Sequence, residues 1–351
     1  MSKKLEVGIL GATGMVGQRL ASLLEGHPWF ELKWLGASDR SAGKPYAEAC
    51  TWRLRDPMPA AARELMVHEC VPNSSAPQLL FASLDGKVAG EVEGAFARAG
   101  HAVVSNSSHY RMEPDVPLVI PEVNPDHLDL VRTQRGERGW SGMIVTNPNC
   151  TTVGLAMSLG PLHRAFGLEK VMMTSMQAVS GAGYPGVPTL DILANVIPYI
   201  GGEEEKVERE TQKLLGSHAD GRFHPADFAV SAHCNRVPVE DGHTETVSIA
   251  LRITASRDDL LAAWRDFRPV PEVQRLPSAP SRPIVVRDEA DRPQPKFDVN
   301  AERGMAAVVG RLRPCPVLDY KYVVLSHNTI RGAAGAALLN AELLKAEGYL
   351  D

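Results

Sequence analysis

The sequence predicts an α/β protein, in which a parallel sheet with helices on both faces is followed by an α+β domain. Short apolar strands alternate with helical segments up to residue 149, and a glycine-rich turn joins the first strand to the first helix. Longer strands follow residue 150. A length of 351 residues is typical of a two-domain protein.

The first strand is predicted at residues 5–10, LEVGIL, and it runs into the turn GATGMVG and the helical pattern QRLASLLEGH. In Rossmann-like domains, glycines at such a turn let backbone N–H groups approach a pyrophosphate, and the helix N-terminus adds partial positive charge. The turn therefore predicts a dinucleotide site formed by Gly11, Thr13, Gly14, Met15 and Val16. The alternative is a tight turn that binds nothing.

The second strand is predicted at residues 31–37 and is followed by SDRSAGK. In a Rossmann-like domain this position meets the adenosine ribose. Ser38, Arg40, Ser41 and Lys44 favour a 2′-phosphate, whereas Asp39 favours a free 2′-hydroxyl. The donors outnumber the single acid, so the segment predicts NADP, with NAD or a solvated loop as alternatives.

Further strands are predicted at residues 79–83, 102–105, 118–121 and 143–145. They complete a dinucleotide-binding domain at residues 1–149. We expect a second domain of mixed α+β type at 150–327, whose strands include VMMTSMQAVS, FAVSAHCNRVPV and HTETVSIALRI. Residues 268–296 are rich in Pro and Arg and are expected to be irregular. Residues 328–351 are expected to form a small-residue helix that returns to the first domain.

Composition excludes several classes of partner. The net charge is −5 and no long basic run occurs, so nothing favours nucleic acid or an anionic membrane. No apolar run reaches membrane-spanning length, and the N-terminus lacks a signal-peptide pattern. The five cysteines form no CxxC pair, which argues against a disulfide framework and a zinc site. We expect no metal and a cytoplasmic location.

Cys150 follows the turn Asn147-Pro148-Asn149 and opens a helical stretch. A helix N-terminus lowers a cysteine pKa and supplies N–H groups for an oxyanion, so Cys150 is a candidate nucleophile, with a buried structural thiol as an equal alternative on placement alone. His243, after a turn between two predicted strands, is a candidate base. Arg236 is a candidate for gripping a carboxylate. An exposed histidine and a surface ion pair are the alternatives.

Seven motifs occur in order along the chain: GATGMVGQ at 11–18, SNSSHYRM at 105–112, NPNCTT at 147–152, MQAVSGAGYPGV at 176–187, IPYIGGEEEKVERET at 197–211, CNRVPVEDGHTE at 234–245 and HNTIRGAAGA at 327–336. With this spacing the chain resembles the aspartate-β-semialdehyde dehydrogenases of the branch typical of archaea and fungi. The resemblance runs nearly from end to end.

The resemblance implies a role for each matching residue. Cys150 is the acyl-accepting nucleophile, His243 the acid/base, and Gln177 an orienting group. The implied substrate contacts are Asn149 beside the nucleophile, Arg236 for the α-carboxylate, Glu203 for the α-ammonium group, and Lys206 and Arg111 for the phosphate. Ser180, Gly181 and Asn328 are implied at the nicotinamide. The register between Glu203 and Glu204 stays open.

The implied reaction is the reductive dephosphorylation of L-aspartyl-4-phosphate to L-aspartate 4-semialdehyde with NADPH, through a cysteine thioester, in lysine, threonine and methionine biosynthesis. A homodimer or homotetramer is implied as well, with residues 150–327 as the catalytic and dimerisation domain. One alternative is malonyl-CoA reductase or another acyl reductase of this architecture, such as N-acetyl-glutamyl-phosphate reductase. Another is a non-catalytic nucleotide-binding paralogue. Arg111, Glu203 and Lys206 favour the aspartyl substrate. Glu203 would have no ammonium partner in the other acyl donors, and malonyl-CoA would not need the phosphate contacts of Arg111 and Lys206.

Overall fold

A computed structural model describes residues 3–350 of the chain. Residues 1 and 2, in the predicted range 1–149, and residue 351, in the predicted range 328–351, lie outside the described residues. The first sheet contains β1 Leu5–Leu10, β2 Phe30–Ala37, β3 Val67–Glu69, β4 Leu79–Ala82, β5 Ala102–Ser105 and β6 Met143–Thr146. All five pairings are parallel and the strand order is β3-β2-β1-β4-β5-β6. The α/β class is thereby confirmed, with the strand order of a dinucleotide-binding sheet.

The connections of this part are mostly helical. They are α1 Met15–Leu24, α2 Tyr46–Ala49, α3 Ala60–Arg63, α4 Gly86–Arg98 and α5 Leu130–Arg138. The predicted strand at residues 118–121 is wrong, because only an isolated bridge joins Leu118 to Thr146 there. Pro117 and Pro121 flank this segment and cannot donate to a ladder, which limits the pairing.

The second sheet is mixed. Its strands are β7 Leu168–Gln177, β10 Ala229–Arg236, β11 His243–Leu251, β12 Ile284–Arg287, β13 Ala307–Pro314 and β14 Tyr320–Ser326, while β8 Ser217–Ala219 and β9 Arg222–His224 form a separate hairpin. The order is β10-β7-β11-β14-β13-β12, with β10–β7 and β12–β13 parallel. β12 and the helix Pro271–Gln274 lie inside the segment 268–296, which was expected to be irregular, so that expectation is wrong for residues 271–274 and 284–287.

The remaining helices are α6 Cys150–Phe166, α7 Thr189–Ile192, α8 Glu203–Leu214, α9 Arg257–Arg265, α10 Pro271–Gln274, α11 Pro295–Asp298 and α12 Gly335–Ala346. One apolar core unites one face of the second sheet with α6, α8 and α9. A separate core joins Leu338, Leu339 and Leu343 of α12 to Val7 and Phe81 of the first sheet. The domain limits 149/150 and 327/328 stay predictions.

Candidate active site

Cys150 is the first residue of α6, which begins four residues after β6 ends at the carboxyl edge of the first sheet. Asn149 is the N-cap: its Oδ1 accepts from the N–H groups of Thr151 at 2.8 Å and Thr152 at 3.3 Å. Such capping satisfies donors that the first turn of a helix leaves free. The strand and the cap together fix where the sulfur of Cys150 lies.

The Cys150 sulfur faces the imidazole of His243. The distance from Sγ to Nε2 is 3.3 Å, and His243 is fully buried as the first residue of β11. The backbone N–H of Ala178 donates to Nδ1 at 3.1 Å. Because Nδ1 is an acceptor there, a neutral ring carries its hydrogen on Nε2, toward the sulfur. His243 is thus oriented as a hydrogen-bond donor to the sulfur of Cys150.

Burial governs the ionisation of both groups. Burial raises the pKa of Cys150 to about 12, with a contribution from the charge of Glu203, while Arg111 and Arg236 oppose the rise. Burial lowers the pKa of His243 to about 3, and the charge of Arg236 adds to this effect. The expectation that the helix N-terminus lowers the pKa of Cys150 is wrong for this structure, because lost hydration outweighs the helix end.

The alkylation of Cys150 by iodoacetamide should therefore accelerate as the pH rises past 9.0, the ordinary value for its pKa. Only the thiolate attacks the reagent, and its fraction grows up to the folded-state pKa. Mass spectrometry of the modified peptides gives the rate at each pH. Cys315 is the internal comparison, since N–H donation from Leu318 lowers its pKa. A Cys150 rate that levels off below about pH 7 would indicate a thiolate–imidazolium pair instead.

Arg236, Gln177 and His243 meet at one end of the second sheet. Arg236 and Gln177 are paired where β10 and β7 end, and both are buried. Arg236 Nη1 donates to the carbonyl oxygen of Ala178 at 2.8 Å, and Gln177 Nε2 donates to Ser175 Oγ at 3.2 Å. These bonds leave the remaining Arg236 donors for a ligand near the sulfur.

Gly181 keeps the space beside these groups open. A side chain on Gly181 would place its Cβ 2.9 Å from Arg236 Nη1 and 3.0 Å from His243 Cε1. Those distances are shorter than contact allows, so only glycine fits without movement. The resemblance implies that Gly181 lies at the nicotinamide. In the structure it lies over the His243 ring and the Arg236 guanidinium.

Helix α8 presents charged side chains to the loop before Cys150. Glu203, which is buried, accepts from Asn149 Nδ2 at 2.8 Å, and Lys206 Nζ lies 3.6 Å from Glu203 Oε2. Glu204 instead accepts from the backbone N–H of Cys234 at 2.9 Å. Of the two registers left open, the geometry thus favours Glu203 as the acid nearest the nucleophile.

Arg111 reaches the same region from the first domain. It is buried, with Nη1 3.0 Å from Glu210 Oε1 and Nη2 donating to the Asn106 carbonyl oxygen at 2.7 Å. Arg111 is thus a buried cation near Cys150, and Lys206 is a partly exposed cation beside Glu203. Two cations and one acid can complement an acyl donor that carries a phosphate and an ammonium group.

The glycine-rich turn fits the close approach of a dinucleotide. Gly11 has φ +79°, and a Cβ there would lie 2.6 Å from the Ser83 carbonyl oxygen. Thr13 lies in the turn, Gly14 is the N-cap of α1, and Met15 and Val16 form its first turn. Free N–H groups at this helix end suit a pyrophosphate.

The ribose side lies at the end of β2. Ser38 and Arg40 are exposed and Ser41 is half-buried, so their donors are accessible to a ligand. Lys44 Nζ donates to the Arg40 carbonyl oxygen at 3.0 Å, and Asp39 accepts from the N–H of Arg40 at 2.8 Å. The accessible side chains include both the donors that favour NADP and the one acid that does not.

A cleft of about 1230 Å³ is bordered by the start of α1 and by the turn that precedes His243. Met15, Ser180, Asp241 and His327 are among its lining residues. Asn328 Nδ2 donates to Ser180 Oγ at 2.8 Å, while its Oδ1 accepts from the N–H of Gly242 at 2.8 Å. Asn328 therefore ties the cleft wall to the turn that precedes His243.

Sequence reasoning missed Gly332, which packs directly behind the nucleophile. A Cβ on Gly332 would lie 2.6 Å from the Cβ of Cys150. Gly332 belongs to the π-helical turn Ile330–Ala334, where Arg331 makes two 2.7 Å bonds to Glu122 and both side chains are buried. The only signal in the sequence was the run of small residues, which indicated close packing but not its partner.

None of the helices among residues 3–350 combines the length and the apolar character needed to cross a membrane. Within the same described residues, no group of three or more His, Cys, Asp or Glu side chains is placed to hold a metal ion.

Comparisons with known proteins agree with this geometry. Residues 6–131 match the family described as semialdehyde dehydrogenase, NAD binding domain, and residues 159–331 match semialdehyde dehydrogenase, dimerisation domain. The aspartate-semialdehyde dehydrogenase of Methanothermobacter thermautotrophicus is 52% identical over 97% of this chain and 99% of its own length. That of Saccharomyces cerevisiae is 46% identical over 100% of both chains.

Solved structures of similar proteins share this fold, and one of them contains NADP. The crystal structure of aspartate semialdehyde dehydrogenase with NADP from Candida albicans has a TM-score of 0.91 and 45% identity, covering 98% of this chain and 99% of its own. A Vibrio cholerae aspartate semialdehyde dehydrogenase II complexed with ASA has a TM-score of 0.79 and 26% identity, covering 99% of this chain and 100% of its own. Its archaeal and fungal relatives and its two matched domains show that this chain belongs to the aspartate-semialdehyde dehydrogenase family.

Proposed function

We propose that the chain catalyses the reductive dephosphorylation of L-aspartyl-4-phosphate to L-aspartate 4-semialdehyde with NADPH. The observation that carries this proposal is the 3.3 Å contact between Cys150 Sγ and His243 Nε2, beside the charged side chains of Glu203, Arg111 and Arg236. The pair can form and release an acyl group, and the surrounding charges suit a zwitterionic acyl phosphate.

Each charged group of the substrate has a proposed partner. Arg236 would hold the α-carboxylate, and Glu203 the α-ammonium group. Arg111 and Lys206 would bind the phosphate. Gln177, at the end of β7, would orient the acyl carbonyl, and Asn149 would hold the loop before the nucleophile.

The first step forms a thioester on Cys150. The sulfur attacks the acyl carbon, and the carbon–oxygen bond to the phosphate breaks. The thiol proton ends on the departing phosphate, which leaves as hydrogen phosphate, so the step balances with a neutral thiol at the start. The backbone N–H of Cys150, which the Asn149 side chain does not engage, would stabilise the oxyanion of this step, as oxyanion holes do in other acyl transfers.

Reduction and release complete the reaction. Residues of the glycine-rich turn and the cleft would hold NADPH, which would supply a hydride to the thioester. The resulting thiohemiacetal anion on Cys150 would expel the sulfur as a thiolate. The thiolate would accept a hydrogen bond from the Nε2–H of His243 and take a proton from solvent, which restores the neutral thiol. His243 would therefore assist as a hydrogen-bond donor, since its lowered pKa leaves the ring neutral at pH 7, and the oxidative direction would reverse the same steps.

Aldehyde oxidation tests the proposal directly. L-Aspartate 4-semialdehyde is incubated with phosphate and NADP, and the absorbance of NADPH is followed. The rate should depend on both phosphate and aldehyde, arsenate should replace phosphate, and NAD should serve less well. Activity with malonyl-CoA and none with aspartyl phosphate would favour the alternative reductase. No reduced dinucleotide with any of these substrates would favour a non-catalytic paralogue.

Replacing Lys206 by alanine should raise the phosphate KM by about tenfold or more and leave the aldehyde KM within about threefold. Lys206 offers a charge to the phosphate and has no proposed contact with the aldehyde. Steady-state rates of aldehyde oxidation at varied phosphate give both constants. Arg209→Ala is the matched control, because it removes an exposed cation from the same helix. An equal rise in both constants would contradict a phosphate role for Lys206.

We also propose a homodimer, or a homotetramer built from it, formed through the uncovered face of the second sheet. Helices α6 and α9 pack on the other face. The uncovered face carries Met172, which is 51% exposed, beside Thr174, Met176 and Thr246. An uncovered, largely uncharged sheet face suits burial against an identical face.

Met172→Arg should therefore shift the protein toward monomer, because two like charges would meet across the two-fold axis. Size-exclusion chromatography with light scattering reports the mass. Met66→Arg places the same charge at another exposed methionine and should leave the mass unchanged.

The five cysteines are all free, and free thiols fit the proposed cytoplasmic location.

A further inference from the structure

Helix α8 contacts the site through two buried charged residues in addition to the two proposed substrate ligands. Glu203, Lys206, Glu210 and Lys213 recur at intervals of three or four, which places them along one face of the helix. The first two are proposed substrate ligands. Glu210 and Lys213 are more deeply buried, with Glu210 at 1% and Lys213 at 0% exposure. Neither has a part in the mechanism above.

Glu210 joins two parts of the site through its two oxygens. Oε1 lies 3.0 Å from Nη1 of Arg111, and Oε2 accepts from the backbone N–H of Asn149 at 2.6 Å. Arg111 is the proposed phosphate ligand, and Asn149 caps the helix that Cys150 begins. One buried carboxylate thus fixes the phosphate arginine relative to the nucleophile loop.

Lys213 secures the segment that carries Arg111. Its Nζ donates to the carbonyl oxygens of Arg111, Glu113 and Val116, each at 2.8 Å. Glu210 and Lys213 are three residues apart on one helix face, so α8 holds both the side chain and the backbone of Arg111.

The bonds leave Arg111 with capacity for an anion. Nη1 is 3.0 Å from Glu210 and Nη2 donates to Asn106, but Nε is buried and has no partner among residues 3–350. A buried donor without a partner is uncommon in folded proteins. The guanidinium is therefore fixed by protein contacts before a phosphate arrives, which lowers the ordering cost of binding.

We propose that Glu210 is a positioning residue that holds Arg111 and the Asn149 peptide in one arrangement, so that the phosphate subsite and Cys150 keep a fixed separation. This inference rests on the proposed function, since it takes Arg111 as a phosphate ligand. Glutamine at position 210 cannot replace the carboxylate. Its amide oxygen can accept from Asn149, but its NH₂ group then meets the Arg111 donors and releases the guanidinium.

The test compares Glu210→Gln with wild type in aldehyde oxidation. The phosphate KM should rise by about tenfold, while the aldehyde KM and the Kd for NADP should stay within about threefold. Glu205→Gln removes an exposed charge from the same helix and should behave as wild type. In an Arg111→Ala background, Glu210→Gln should add less than about a twofold rise, since the residue acts through Arg111.

A purely structural role would lower the melting temperature and weaken phosphate, aldehyde and NADP binding together, and that result would overturn the inference. An unchanged phosphate KM in a folded variant would overturn it too. Protection of Cys150 from iodoacetamide by inorganic phosphate gives a readout that needs no turnover. Loss of that protection in Glu210→Gln supports the inference even if wild type fails to oxidise the aldehyde, in which case the proposed function alone falls.

Discussion

Replacing Cys150 by serine is expected to lower turnover by at least about 10⁴-fold, because removal of a nucleophile leaves only binding and oxyanion stabilisation. A serine hydroxyl beside His243 would be a far weaker nucleophile than the thiol, since the ring presents Nε2–H rather than a free lone pair. Stopped-flow or steady-state measurement of NADPH formation gives the rate. Single-turnover analysis should detect no acyl enzyme by mass spectrometry.

The same variant should bind NADP with unchanged affinity, because Gly11, Ser38 and Arg40 lie away from the sulfur. Fluorescence titration measures that affinity. Cys315→Ser is the matched control: its sulfur accepts from the N–H of Leu318, and the variant should keep wild-type turnover. If Cys150→Ser retained a substantial rate, the thioester mechanism would be wrong.

The local parts of this fold and site were accessible from the sequence. The strand, turn and helix around Gly11 needed only hydrophobic pattern and glycine placement, and the start of α6 at Cys150 followed from a turn before a helical run. Glu203 and Lys206 were expected on one helix face, and they lie 3.6 Å apart. In each case the deciding interactions involve residues close in the chain.

The predictions that proved wrong, or that the sequence did not offer, depend on residues far apart in the chain. The helix N-terminus suggested a lowered pKa for Cys150, but loss of hydration in the folded chain and the charge of Glu203 raise it. The contact of Gly332 with Cys150 has no local pattern at either residue. β12 forms in a Pro-rich segment because β13 supplies its pairing partner. Periodicity reports which face of an element is buried, not what buries it.

Glu245 is a buried acid that no charged group compensates. It lies two residues after His243 on β11 and is fully buried, and neither carboxylate oxygen has a hydrogen-bond partner among residues 3–350. Burial raises its pKa well above the ordinary value of 4.5. An unpaired buried charge is very costly, so the neutral acid is the stable form in the folded protein.

The raised pKa makes the free energy of unfolding depend on pH. Below 4.5, folded and unfolded chains both hold the proton, and the stability is full. Above that value the unfolded chain releases the proton while the folded chain keeps it, so stability falls as the pH rises toward the folded-state pKa. The slope from this one group is about 1.4 kcal/mol per pH unit.

Glu245→Gln should remove this slope, since an amide has the shape of the neutral acid and does not ionise. The variant should match wild type near about pH 4 and be more stable by up to a few kcal/mol near about pH 8. Urea unfolding at a series of pH values measures the difference. Glu240→Gln, at an exposed position beside Arg55, should follow the wild-type curve. Turnover should survive the change, because no step uses this acid. Parallel curves of unfolding free energy against pH for wild type and Glu245→Gln would mean that Glu245 ionises normally inside the fold.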